Sequence, residues 1–142
     1  MVSYWLCITN EENWKVIKNT HIWGVSDRHR KKIERVRIGD FMIFYIKPVK
    51  IGGIFKVISE PFESGKALFT WQGVSGQEVF PYRVKIKPVI LPQEPIEFRP
   101  LIQKLRFIRN KRLWVGHILG KTMRLIPKED YELIKSALLK IN

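Results

Sequence analysis

"IWGVSDRHRKKIERVRIGDFMIFYI", residues 22–46, sets a tryptophan and a glycine at the head of a dense run of cations and then becomes an uninterrupted apolar hexapeptide. The hexapeptide decides the fold. Phe41 to Ile46 is apolar on both alternating faces, which predicts a strand covered on two sides at the centre of a sheet or barrel. Gly39-Asp40 forms the turn that admits it. Upstream, Arg28 to Val36 reads as a basic helical turn, with Trp23 and Gly24 directly before it.

Working outward, "YWLCIT" (residues 4–9) is a short β-favouring run, and "NEENWKVIKN" reads as a helix capped by Asn10, with Trp14 and Ile17 or Lys18 at helical spacing. "IGGIFKVIS" (51–59) is the next strand, and its two glycines mark a place where the backbone bends or lies close to something. "ALFTW" and "VFPYRVKIKPVIL" follow as strands, the latter with Val84, Ile86 and Pro88 on one face and Arg83, Lys85 and Lys87 on a basic one. "GVSGQ" (73–77) reads as a hairpin turn. Pro92, Pro95 and Pro100 interrupt the next segment, and "LIQKLRFI" forms a turn or two of helix. Pro127 starts a last helix with Glu129 and Asp130 in its first turn and Tyr131, Ile134, Leu138 and Ile141 as the apolar stripe that covers the core. With no repeat or linker, residues 1–142 read as one α+β domain around a curved, mostly antiparallel sheet with peripheral helices.

Charge narrows the function. The 142 residues carry 26 Lys plus Arg against 13 Asp plus Glu, a formal net charge of +13. Such a surplus attracts polyanions; a thermophile's use of Lys, Glu and Ile is the plainer account of it. One cysteine, Cys7, excludes an internal disulfide and a Cys-based zinc site, and reads as a buried strand residue. The N-terminus has no leader pattern and no apolar run approaches a membrane span, so a cytoplasmic protein is expected.

Catalytic constellations are thin. His21, His29 and His117 lack metal-binding spacing, so no metal or other cofactor is expected, and His21 and His29 read as surface residues. Neither Cys7 nor Ser26 stands beside a base in a nucleophile context, and an enzyme is not expected. What remains is aromatic residues interleaved with cations. A flat ring stacks on a nucleobase while Lys and Arg hold phosphates. Of the five tryptophans, Trp14 and Trp114 read as core, whereas Trp23 and Trp71 read as sockets for a base.

These segments, "YWLCITN", "IWGVSDRHRKKIERVRIGDFMIFYI", "IGGIFKVISEPF" and "VFPYRVKIKPV", resemble in order the EVE domain of the PUA-like superfamily, over nearly the whole chain. EVE domains in turn resemble the YTH domain, a reader of N6-methyladenine in RNA, which has Trp-Cys-Ser-Thr where this chain has Trp23, Gly24, Val25 and Ser26. The resemblance implies a PUA-like β-barrel with flanking helices and a pocket for a modified base flipped from its strand. It implies Trp23 as the cage tryptophan, with Trp71 or Phe69 as the second aromatic. Asn10 and Asn13 would contact the base edge, and Tyr45 and Gly53 belong to the same expected pocket. Lys121 and Thr122 fall on the turn that contacts phosphate, and Arg28, Arg30 and Lys31 grip the flanking backbone. Gly24 and Val25 depart from the methyladenine reader's segment, so the preferred base stays open, modified cytosine in DNA included.

Three functions therefore compete. One is a nucleic-acid-binding module that reads a modified base, on single-stranded RNA or DNA; another is a PUA-like module that recognises RNA by backbone and shape without a base pocket. The third is a small-molecule or nucleotide-processing enzyme that uses the same cavity, which the missing acid–base pair disfavours.

Overall fold

The structure, a computed structural model, describes residues 1–66 and 80–140. Its centre is a pair of apolar strands that are distant in sequence. β1 (Tyr4–Thr9) and β3 (Phe41–Ile46) run parallel, from Tyr4 opposite Phe41 to Thr9 opposite Ile46. A parallel pair needs a crossover, which α1 (Glu11–Thr20), β2 (Ile22–Val25) and α2 (Arg30–Ile33) supply. β3 then pairs antiparallel with β4 (Lys50–Val57), and β4 with β6 (Tyr82–Ile90). The order is β2-β6-β4-β3-β1-β8, with β8 (Met123–Leu125) on the far edge and the short strands β5 (Phe62–Glu63) and β7 (Ile96–Glu97) on β6 and β4. This is the expected α+β architecture, a curled, mostly antiparallel sheet with peripheral helices.

Alternation explains why the hexapeptide is apolar throughout. Met42, Phe44 and Ile46 join Trp5 and Cys7 of β1 on one face, and Phe44 stands at the middle of an aromatic cluster, 5.5 Å from the rings of both Trp14 and Trp23 and 5.4 Å from Phe55. Ile43 and Tyr45 face the other way with Leu6 and Ile8. There Phe98, Ile102 and the Tyr131, Ile134, Leu138 stripe of α3 (Lys128–Leu139) cover them. Both faces are dry.

Three buried polar groups hold this arrangement. The carboxylate of Asp40 accepts hydrogen bonds from the backbone N–H groups of Ser3 (2.9 Å) and Arg37 (3.0 Å) and from the Trp5 indole (3.1 Å), tying the start of β1 to the turn before β3. Asp130, in the first turn of α3, accepts from the backbone of Arg106 and Phe107, both at 2.8 Å. Arg83 corrects the sequence reading. It was expected on an outward basic face with Lys85 and Lys87, but it is 1% exposed, whereas those lysines are exposed. Its guanidinium donates to the carbonyls of Phe80 (2.8 Å) and Lys66, which makes burial of the charge tolerable. Pro88, expected on the covered face, is exposed. The expected strand at 67–71, the hairpin turn at 73–77 and Ile141 lie outside the described residues.

The glycine pair in β4 is explained by close approach. A Cβ on Gly52 would lie 2.6 Å from the Trp14 ring, and one on Gly53 would lie 2.7 Å from the carbonyl oxygen of Ile90. Gly53 therefore belongs to the β4–β6 contact and not to a ligand pocket. Because backbone yields less readily than a side chain, Gly53→Ala should cost about 1–3 kcal/mol of stability in chemical denaturation. Gly65→Ala, where nothing among the described residues lies within 4 Å, should stay within about 0.5 kcal/mol.

Candidate nucleic-acid interface

With both faces of the central strands covered, polar groups collect where the strands end. β1 ends at Thr9 and passes to Asn10, whose side-chain oxygen accepts the backbone N–H of Asn13 (2.7 Å) and caps α1. Parallel pairing brings the end of β3 alongside, with the Lys47 N–H donating to the Thr9 carbonyl at 2.8 Å. On the other flank, the Ile8 N–H donates to the Thr122 carbonyl at 2.8 Å. Trp23 to Ser26 of β2 and the turn after it complete the enclosure, a cavity of about 260 Å³.

The approach to β8 is conformationally unusual. Gly120 (φ +79°) and Thr122 (φ +60°) both occupy the left-handed region, which a β-branched residue seldom adopts. Backbone strain thus sits on the cavity wall. Trp23 is the other wall, and its role is double. Only 4% exposed, it packs edge-on against Phe44, so it is a core residue as well as a lining one. Its indole N–H is buried and finds no acceptor among the described residues. Leaving such a donor unmet costs on the order of 1–3 kcal/mol.

The rim is cationic. Arg28, His29 and Lys47 line the cavity, and no carboxylate among the described residues does. The His29 imidazole is held below its ordinary value of 6.5 by burial and by Lys32 and Arg28. Lys32 is pushed down in the same sense by burial, Lys121 and Arg124, while its ammonium donates to the Lys121 carbonyl at 2.6 Å. Burial raises the Cys7 thiol well above its usual range, which suits a packed strand residue.

The expected site residues divide clearly. Asn10, Asn13, Trp23, Gly24, Val25, Ser26, Arg28 and Thr122 all line the cavity. Tyr45 does not: alternation turns it to the opposite face from Phe44, where its hydroxyl donates to the Pro48 carbonyl, its ring packs 5.1 Å from Phe98, and burial drives its pKa to about 12. Arg30 is also drawn away, with its guanidinium 4.9 Å over the Tyr82 ring and 3.8 Å from Glu34. Lys31 is exposed on α2 outside the cavity lining, and Lys121 flanks it between Gly120 and Thr122. Phe69 and Trp71 lie outside the described residues. Sequence reasoning missed Thr9, Lys47 and Phe80, and it placed His29 on the general surface when it belongs to this rim.

A family model for the EVE domain matches residues 3–137, and the chain belongs to the EVE domain family. It is similar to a UPF0310 protein of Pyrococcus abyssi, 46% identical over 146 residues covering 96% of this chain and 100% of that one. Among solved structures it resembles the YTH domain of the Zygosaccharomyces rouxii MRB1 protein in complex with N6-methyladenosine RNA, with a TM-score of 0.66 at 13% identity over 96% of this chain and 86% of that one. The Mmi1 YTH domain in complex with RNA gives a TM-score of 0.67 at 16% identity, over 98% and 79% of the two chains. At these identities the likeness establishes the shared fold.

Trp23 yields a graded outcome. Trp23→Ala should cost roughly 3–5 kcal/mol of unfolding free energy, because it empties the space beside Phe44. Trp23→Phe keeps most of the packing and should cost well under half as much in the same denaturation experiment, while removing the unpaired donor.

Proposed function

We propose that this protein is a binding module for single-stranded nucleic acid and that the cavity receives one base extruded from the strand. The observation that carries the proposal is Trp23, whose buried indole N–H meets no acceptor among the described residues and which lines a cavity whose charged lining, among those residues, is entirely cationic. A base offers ring nitrogens and carbonyls that accept such a donor, and its phosphates match Arg28, His29 and Lys47. Size agrees: about 260 Å³ falls below the range that encloses drug-sized ligands and suits one planar ring system. A larger groove of about 900 Å³ beside α3 is lined by Glu94, Glu97, Glu129 and Glu132 against Lys104 and Lys140, an acidic balance that does not favour a polyanion. The YTH structures that share this fold are complexes with RNA, which supports the same class of ligand.

A base modification is read, on this proposal, by the walls that Trp23, Gly24, Val25 and Ser26 present, and no chemical step follows. The oligonucleotide should be recovered unchanged.

The test is affinity against oligonucleotides that are identical but for one base, unmodified or carrying N6-methyladenine or a modified cytosine, at several fixed salt concentrations. One modified probe should bind more tightly than its unmodified match. Arg28→Gln should weaken all probes alike and reduce the slope of log affinity against log salt by roughly 0.7. Equal affinity for every base would favour the shape-reading alternative. Affinity indifferent to salt would defeat both.

Acidification gives a second check. With its pKa below 6.5, the free imidazole of His29 is neutral near pH 7, and a neighbouring phosphate favours the imidazolium. Binding then takes up a proton, so affinity should rise as pH falls through 6.5, and His29→Gln should flatten that rise. The fold responds with the opposite sign: because the unfolded state takes the proton more readily, His29 withdraws stability as pH drops below 6.5.

A further inference from the structure

The cations at the cavity do not stop at its rim. Lys32 is depressed by burial and then by Lys121 and Arg124, and Arg124 in turn by burial and by Arg109, so these side chains lie within each other's field from the cavity mouth across the edge strand β8. Beyond β8 they lead to a second cavity of about 630 Å³, where Arg106, Arg109, Arg124 and His117 surround an apolar floor of Phe107 and Pro127. None of its three arginines has a carboxylate within 4 Å among the described residues. The nearby acid, Asp130, is 1% exposed and engaged by the Arg106 and Phe107 N–H groups.

Arg124 is built into position. Its guanidinium lies 4.9 Å over the Phe107 ring and donates to the carbonyls of Leu125 and His117, each at 3.2 Å. Five N–H donors less those two leave three. A planar donor fork, fixed in place with bonds to spare and flanked by two exposed arginines, matches the geometry of a phosphate.

We propose that this second cavity is a phosphate subsite for the same nucleic-acid strand, which leaves the base cavity past Thr122, crosses β8 and sets a backbone phosphate between Arg106, Arg109 and Arg124. The proposal rests on the base-cavity reading above. Thr122 and Arg124 are two residues apart along the chain, about 7 Å in extended strand, so a strand only a few nucleotides long spans the two sites.

The test compares two RNA probes with the same base, a mononucleotide and a dodecamer that carries it centrally, on the wild type, on Arg28→Gln and on the double variant Arg106→Gln/Arg109→Gln. The last changes only exposed side chains. The double variant should bind the dodecamer roughly tenfold more weakly at about 0.1 M salt, with the salt slope reduced by about 1.4, and should bind the mononucleotide as the wild type does. Arg28→Gln should weaken both probes. If Arg28→Gln weakens both while the double variant leaves the dodecamer untouched, the subsite is overturned and the base cavity stands. Equal losses of the two probes in the double variant would reduce it to unspecific attraction and overturn the subsite as well. Indifference of both probes to Arg28→Gln would instead defeat the base cavity, and with it the path proposed from it.

Discussion

Covering β1 and β3 on both faces is the constraint from which the rest of the molecule follows. Two adjacent parallel strands with no polar face leave no room for chemistry along their length. Every functional group must sit where they end, and parallel pairing puts both ends on one side. Thr9 and Asn10 follow from β1, Lys47 from β3, and Thr122 is fastened to Ile8 by a backbone hydrogen bond. The cavity is the gap left where the dry core stops.

Trp23 joins core and cavity. Its packing on Phe44, itself within 5.5 Å of Trp14, fixes the indole as firmly as any core side chain, beside the cavity and with its buried N–H unmet among the described residues. The electrostatics have the same character. His29, Lys32 and Arg124 are all pushed below their ordinary values, in part by neighbouring cations, so the free protein carries repulsion that a polyanion relieves.

Much of this was legible in the residues, because it is local. "FMIFYI" announces a doubly covered strand, Asn10 announces a cap, and Pro127 with Tyr131, Ile134 and Leu138 announces the closing helix; each signal lies within a few positions of its effect. Trp23, Gly24, Ser26, Arg28 and Thr122 came through the resemblance, and all line one cavity. The rest depends on distant partners. Lys47 joins the site only because β3 lies parallel to β1, and Tyr45 leaves it because Phe44 takes the opposite face. Gly53 answers to the Ile90 carbonyl, 37 residues on, and Arg83 hides its charge against carbonyls that alternation along β6 does not reveal.

The central claim concerns one N–H, and nuclear magnetic resonance observes it directly. In ¹⁵N-labelled protein the indole resonance of Trp23, assigned by its loss in Trp23→Phe, should shift downfield and exchange more slowly with water as an oligonucleotide with the preferred base is added. The Trp5 indole, already bound to Asp40, should hold its position and serve as the internal control. Saturable binding that leaves the Trp23 resonance where it was would contradict the account.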